Sequence, residues 1–290
     1  MKVKCRAKIN ISIDVLGRLE NGYHLVEMIM QSIDLYDIIN VEKRNDGKIC
    51  LYSESDEIPL DEGNIVYKAA SKLKQRYKVS DGADIKIEKN IPVAAGMAGG
   101  STDAAGVIKA LNIVWNLNLS ENDMKEIGFE IGADVPFCIS GGSSLAENLG
   151  EKLTQIKGLP EGTNILVCKP DIYVSTAEVY KHIDSEEIQK RPDTEMLIEY
   201  LKQEDIKAVA ENMYNVLELV TEKMHPEIKE IENVMYSNDA LGAMMSGSGP
   251  TVFGIFEDKN DALRAENELK RKYRQVYLVS SSERGIEIDG

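Results

Sequence analysis

The sequence predicts an α+β fold, because runs of strands and groups of helices replace the regular strand–helix alternation of a doubly wound sheet. Residues 2–15 alternate between apolar and polar side chains, which predicts a long first strand. Residues 64–77 instead carry apolar side chains at helical spacing. The 290 residues suit one large domain or two smaller ones, and we expect domains 1–158 and 159–290.

Strands are predicted to dominate the first fifty residues. The alternation over residues 2–15 is typical of a half-buried strand, with Lys8 and Asn10 on its open face. A loop and a second strand over 25–33 follow. Segments 37–43 and 48–52 flank Asn45-Asp46-Gly47, a sequence typical of a hairpin turn.

Helices are predicted from residue 64 onward. A short strand at 83–87 precedes a helix from about 101 to 115, and another helix follows Ser120. Residues 134–139 are predicted to be a loop that enters a strand after Gly141-Gly142. The second half is predicted to contain a strand at 165–168, several helices, a strand–turn–strand unit at 240–256, a charged helix at 258–273 and a final strand at 276–280.

Composition excludes several classes of protein. The formal net charge of −15 disfavours nucleic acid and anionic membranes as partners, and no apolar run is long enough to span a bilayer. The four scattered cysteines indicate free thiols in a reducing compartment, and neither they nor the three histidines have metal-ligand spacing. The chain starts directly in a patterned strand, so no signal peptide is expected. We therefore expect a cytoplasmic monomer or homodimer without a dedicated metal cluster.

The most distinctive segment is residues 91–105, where small residues lead directly into a helix. No Asp or Glu occurs between residues 89 and 102, and Gly96, Gly99 and Gly100 leave the backbone accessible. Unpaired N–H groups at a helix N-terminus bind phosphate well. The segment therefore predicts a nucleotide-phosphate site, with a tight strand-to-helix turn as the structural alternative.

Glycine spacing in this loop excludes the two commonest nucleotide motifs. No Gly-Lys-Ser/Thr closes it as in a Walker A loop, and its glycines do not match G-x-G-x-x-G. A nicotinamide-dependent dehydrogenase is disfavoured for the same reason and by the strand-rich start of the chain.

The segment Pro92-x-x-x-Gly96-Met97-Ala98-Gly99-Gly100-Ser101 resembles the phosphate motif of the GHMP kinases, with Met97 where Leu is usual and Ala98 where Gly is common. The resemblance extends to Ala7-Lys8-Ile9-Asn10-Ile11, Gly22-Tyr23-His24, Gly132-Ala133-Asp134-Val135-Pro136 and the glycine turn of residues 246–253. It implies two domains with a cleft between them. The N-terminal nucleotide domain would resemble ribosomal protein S5 domain 2, and the C-terminal domain would be ferredoxin-like.

The resemblance also implies the residues that bind ATP and transfer its phosphate. Asp134 would be the general base and Lys8 its cationic neighbour, which keeps the carboxylate ionised and polarises the substrate hydroxyl. Without the resemblance, Lys8 could be a solvated strand lysine and Asp134 a helix cap. Mg²⁺ is required to neutralise the phosphates, with the Ser101 hydroxyl as a candidate contact, and Asp103 must point away from them. The ATP site would comprise Pro92, Val93, Ala94, Ala95, Gly96, Met97, Ala98, Gly99, Gly100, Ser101 and Thr102.

The motifs resemble most the superfamily members of the non-mevalonate isoprenoid pathway, which implies phosphorylation of the 2-hydroxyl of a cytidylyl-linked sugar alcohol. Tyr23 and His24 would then recognise the cytosine ring, Tyr180 would stack on it, and Asn10 and Thr176 would line the same site. By themselves, Tyr23 and His24 could be a surface pair and Tyr180 a core residue. Homoserine kinase, a mevalonate-pathway kinase and a non-catalytic metabolite sensor of this fold are the alternatives.

Overall fold

The computed structural model describes residues 1–289 and contains two β-sheets with helices packed on them. Through residue 158 the elements are β1 (Lys2–Arg18), β2 (His24–Arg44), β3 (Ile49–Ser53), α1 (Ile65–Arg76), β4 (Gly82–Glu88), α2 (Gly99–Val114), α3 (Glu121–Phe129), α4 (Val135–Ser140), β5 (Ser143–Asn148) and β6 (Lys152–Ile156). The remaining elements are β7 (Asn164–Lys169), α5 (Thr176–Ile183), α6 (Thr194–Gln203), α7 (Ile206–Asn212), β8 (Tyr214–Asn215), α8 (Glu218–Met224), α9 (Glu227–Ser237), β9 (Gly242–Met245), β10 (Val252–Phe256), α10 (Lys259–Leu269), β11 (Gln275–Ser280) and β12 (Ile286–Asp289).

The first sheet has eight strands and is organised around β1 and β2. The 21-residue β2 pairs with β1 along one edge; on the other, its first half pairs with β5 and its second half with β4. Three register shifts interrupt the β1–β2 pairing, two of them flanking Lys8 and Asn10. Such irregularities are common next to active sites because they redirect side chains.

The other edge of β1 has a gap that receives the glycine loop. Strand β12 pairs with residues 2–5 of β1, and β8 pairs with Ser12 and Ile13. Between them, the N–H of Lys8 donates to the carbonyl of Met97 at 3.2 Å. The loop is thereby fixed beside the middle of the first strand.

The second sheet is antiparallel throughout and has the order β11-β7-β10-β9. Along the chain its strands and helices follow a βαββαβ order, which is the ferredoxin-like arrangement. Both the α+β class and the ferredoxin-like second part are therefore confirmed. The boundary near 158 stays a prediction, and β12 returns from the second half of the chain to pair with β1.

Some local expectations were wrong. The predicted hairpin does not form, because β4 lies between β2 and β3 and pairs in parallel with β3. The two segments predicted before it, 25–33 and 37–43, form one continuous strand, β2. Residues 135–140 form a short helix instead of a loop. Strands β6 and β12 were not predicted.

The face of β1 that carries Lys8 and Asn10 is also not open to solvent. Lys8 is only 4% exposed and Asn10 is fully buried, whereas the alternate residues Ala7, Ile9 and Ile11 pack in one core cluster with residues of the second half of the chain. Three of the four predicted free thiols are buried, and Cys50 is half-buried. Among residues 1–289, no helix combines the length and the hydropathy needed to cross a bilayer.

Candidate active site

A cavity of about 790 Å³ lies between the two halves of the chain. It is lined by every residue that was predicted to act in catalysis or substrate binding: Lys8, Asn10, Tyr23, His24, Asp134, Thr176 and Tyr180. These residues come from β1, β2 and the loop before it, α5 and the segment before α4, and they are separated by up to 172 positions in sequence. The fold therefore gathers them at one place.

One end of the cavity is formed by the N-terminus of α2. Its N-cap, Ala98, has a left-handed backbone and provides no side-chain cap, and the first turn contains no acidic residue. The first N–H paired within the helix is that of Thr102, which donates to the carbonyl of Ala98 at 2.8 Å. Gly96, Ala98 and Ser101 line the cavity here. Uncapped donors at the start of a 16-residue helix make a favourable anion site.

The glycine loop is held against the turn that follows β9. The Ser246 hydroxyl donates to the carbonyl of Gly96 at 3.1 Å, and Gly247 and Ser248 continue the cavity wall. Gly96 has φ +73°, and a Cβ there would lie 2.3 Å from the Ser246 carbonyl oxygen. Both its backbone angle and this close approach require glycine.

Asp103 points into the protein and away from the helix N-terminus. Its carboxylate accepts a hydrogen bond of 2.8 Å from Lys89, and it is only 3% exposed. Lys89 also contacts buried Asp37, which in turn accepts the N–H groups of Asn90 and Ile91 at 2.5 and 2.8 Å. Burial raises the pKa of Asp103. This acidic residue therefore supports the start of the loop and leaves the anion site free of negative charge.

Lys8 and Asp134 lie in the cavity without forming an ion pair with each other. Lys8 Nζ donates to Asn10 Oδ1 at 2.6 Å, and the amide of Asn10 contacts the sulfur of Met28. The carboxylate of Asp134 makes no cap bond to α4, and it has no hydrogen-bond partner among residues 1–289. Asp134 occupies the N-cap position of α4, but its side chain does not cap the helix, so its carboxylate is available to a ligand.

The opposite end of the cavity is built from side chains. The rings of His24 and Tyr180 lie 5.1 Å apart, and Tyr23 projects beside them with 64% of its surface exposed. Burial, with the nearby Asp134 charge, raises the pKa of Tyr180 to about 12, so its hydroxyl stays protonated. Between the two ends, Thr176 at the start of α5 shares a hydrogen bond of 2.8 Å with Ser248 of the turn that follows β9.

An ion-pair cluster at this end escaped the sequence analysis. Asp184, immediately after α5, accepts a hydrogen bond of 2.7 Å from His24 Nε2 and one of 3.1 Å from Arg18. Arg18 and Asp184 line the cavity, as does Lys181. Arg18 and Asp184 are 166 positions apart and belong to no local motif, so no sequence signal could have joined them.

Not every predicted ATP-site residue faces the cavity. Pro92, Ala95, Met97 and Thr102 have buried side chains, and Val93, Ala94, Gly99 and Gly100 do not line it either. These residues shape the loop and supply its backbone. Their proposed contacts with ATP stay predictions, as do the roles of the cavity residues.

Comparison with known proteins identifies the class to which this arrangement belongs. The model of the GHMP kinase N-terminal domain matches residues 64–142, and that of the GHMP kinase C-terminal domain matches residues 197–275. A homoserine kinase structure from Cytophaga hutchinsonii aligns with a TM-score of 0.80 over 100% of this chain and 97% of its own. At 16% identity that likeness concerns the fold alone. The fold and the site define a GHMP kinase.

Closer relatives specify the family. The 4-diphosphocytidyl-2-C-methyl-D-erythritol kinase of Clostridioides difficile is 60% identical over 100% of this chain and 98% of its own length. The enzyme of that name from Caldicellulosiruptor bescii is 50% identical over 98% of this chain and 99% of its own. A crystal structure of 4-(cytidine 5'-diphospho)-2C-methyl-D-erythritol kinase aligns with a TM-score of 0.83 at 30% identity, covering 97% and 99% of the two chains. The chain belongs to the 4-diphosphocytidyl-2-C-methyl-D-erythritol kinase family.

Proposed function

We propose that this protein transfers the γ-phosphoryl group of ATP to the 2-hydroxyl of 4-diphosphocytidyl-2-C-methyl-D-erythritol, a step of the non-mevalonate isoprenoid pathway. One observation carries the proposal: a single cavity joins an uncapped helix N-terminus, a lysine–carboxylate pair and an aromatic end. The triphosphate would lie at the first, the reacting hydroxyl at the second and the cytosine at the third. The relatives at 50–60% identity carry the name of this activity.

Asp134 is the proposed general base. Its carboxylate lines the cavity and has no partner among residues 1–289, so it can accept the proton of a substrate hydroxyl. Lys8, oriented by Asn10, supplies positive charge to the same space and stabilises the hydroxyl oxygen as it attacks the phosphorus. The N–H groups at the start of α2 stabilise the phosphate oxygens during transfer.

The residues present fit a Mg²⁺ ion bound mainly through ATP. Among residues 1–289, no cluster of three or more His, Cys, Asp or Glu side chains could hold a metal by itself. Mg²⁺ commonly retains several waters and binds few protein groups together with phosphate oxygens. The Ser101 hydroxyl, at the start of α2, is the proposed protein contact. When bound, Mg²⁺ would neutralise phosphate charge.

A coupled ATP-consumption assay with three acceptors tests the proposal. We expect turnover with 4-diphosphocytidyl-2-C-methyl-D-erythritol and none with homoserine or mevalonate, and the product should gain one phosphoryl group by mass. Activity with homoserine or mevalonate alone would overturn the assignment of the substrate. Tight binding of the cytidylyl compound without any turnover would instead favour the sensor alternative.

The cytoplasmic location of the protein and its oligomeric state are also proposals. Four free cysteines fit a reducing cytoplasm. Size-exclusion chromatography with light scattering would distinguish between a monomer and a homodimer, the two expected states.

A further inference from the structure

The Asp184 carboxylate does not stabilise helix α5, which it follows. It follows the last residue of α5, and a negative charge at a helix C-terminus opposes the helix dipole. The last turn of α5 instead contains the basic residues Lys181 and His182, which suit a helix C-terminus. The hydrogen-bond partners of the Asp184 side chain, Arg18 and His24, lie in the first half of the chain.

Both oxygens of this carboxylate are occupied by those partners. Oδ1 lies 2.7 Å from His24 Nε2, and Oδ2 lies 3.1 Å from Arg18 Nη1. The His24 side chain is only 7% exposed, and its ring also packs on Tyr180. The imidazole is therefore fixed by a carboxylate at one nitrogen and by an aromatic ring beside it.

This arrangement determines the tautomer of His24. An ionised carboxylate only accepts hydrogen bonds, so Nε2 must carry the proton in the bond to Asp184. In the neutral imidazole, Nδ1 then has a lone pair and acts as an acceptor. Nδ1 has no hydrogen-bond partner among residues 1–289, and His24 lines the cavity. It is the ring nitrogen that remains for a ligand.

We propose that Asp184 is a positioning residue that keeps His24 Nδ1 as a hydrogen-bond acceptor, so that this end of the cavity selects a pyrimidine bearing an amino group over its oxo counterpart. The inference rests on the proposed function for the presence of a pyrimidine. Cytosine presents a donating amino group where uracil presents an accepting carbonyl. His24 Nδ1, as an acceptor, can pair with the amino group of cytosine. With uracil it would face a carbonyl oxygen, which is also an acceptor, and that contact is unfavourable.

Calorimetric titration with CDP and UDP tests this selection. We expect the wild-type protein to prefer CDP, and Asp184→Ala and Asp184→Asn to reduce that preference by about tenfold, which is the loss of one hydrogen bond's discrimination. Glu178→Gln is the matched control, because it removes one charge from an exposed side chain of the same helix that does not line the cavity. The control should keep the wild-type ratio of affinities.

Nitrogen NMR of the imidazole gives a second readout that a purely structural role would not affect. In the wild-type protein we expect His24 to be protonated at Nε2 and unprotonated at Nδ1, and in Asp184→Ala to become a mixture of tautomers. An unchanged CDP-to-UDP ratio in both Asp184 variants, or a proton on Nδ1 in the wild type, would overturn the inference. Wild-type phosphorylation of the cytidylyl substrate alongside either result would leave the proposed function intact, whereas absence of phosphorylation would count against that function alone.

Discussion

The two ends of the cavity are built on different principles. At the α2 end, the converging main-chain donors come from one short stretch, residues 96–101, with no side-chain cap and no acidic residue in the first turn of the helix. The opposite end consists of the side chains of Arg18, His24, Tyr180 and Asp184, which meet only in the folded protein. A phosphate is bound well by any set of converging N–H groups, whereas one particular base requires particular side chains.

The largest effect on activity should come from a change at Asp134, which lies between the two ends of the cavity. Asp134→Asn should reduce kcat by at least about 100-fold, because it removes the proposed proton acceptor and retains the shape of the side chain. The KM values for both substrates should change little, as measured by the coupled assay. Asp56→Asn, at an exposed carboxylate away from the cavity, is the control. Near-normal turnover of Asp134→Asn would contradict the catalytic assignment.

Gly96→Ala should affect the phosphate end selectively. The new Cβ would be forced to within 2.3 Å of the Ser246 carbonyl, so the loop must shift and its N–H groups with it. We expect KM for ATP to rise about tenfold, with a smaller change for the cytidylyl substrate. Gly17→Ala is the control, since a Cβ there meets nothing within 4 Å. An unchanged KM for ATP would mean that the loop does not contact the triphosphate.

His24→Ala should weaken binding at the end of the cavity that His24 and Tyr180 form. Loss of the ring removes its contact with Tyr180 and its hydrogen-bonding nitrogen, so KM for the cytidylyl substrate should rise about tenfold while KM for ATP stays near the wild-type value. Initial-rate measurements with each substrate varied in turn separate the two effects. Equal losses for both substrates would show that the two ends are not independent.

The smallest effect on activity is expected from a change at Glu218, which supports the turn that holds the glycine loop. Burial and the neighbouring Glu232 raise the pKa of Glu218 to about 8, and Glu218 accepts the N–H of Met245, next to the Ser246 turn. The native carboxyl thus keeps its proton where the unfolded one has lost it. Its contribution to stability is complete below the unfolded pKa and is lost as pH rises towards 8.

Glu218→Gln mimics the protonated carboxyl at every pH and should make stability less dependent on pH. We expect the wild-type free energy of unfolding to fall by about 3 kcal/mol more than that of the variant between pH 5 and pH 8, as measured by urea denaturation. The kcat should change little. The same pH dependence in both proteins would contradict the raised pKa.

The contrast between the two ends explains what the sequence could predict. The loop of residues 91–102 is continuous, and its glycines and missing acids are visible without a structure. Lys8, Asp134, Tyr23 and His24 could be found because each lies in a short motif. Asp184 could not, because its importance comes from Arg18 and His24, which only the packing of α5 brings near.

The prediction of some secondary-structure elements failed for a similar reason. Asn45-Asp46-Gly47 has the local signals of a hairpin, but strand pairing is decided by packing, and β4 pairs with β2 in place of β3. Gly82 permits this, since a Cβ there would lie 2.0 Å from the carbonyl oxygen of Lys48. Residues 134–139 gave too short a pattern to distinguish a helix from a loop.

The pairing of β12 with β1 has a consequence for synthesis. Strand β1 is synthesised long before its partners on one edge, β8 and β12, which follow more than 190 and 260 residues later. This edge of the strand that carries Lys8 therefore has unpaired backbone groups during most of translation. An exposed strand edge of this kind is a common starting point for aggregation, so the late pairing of this edge makes the unfinished chain sensitive to aggregation.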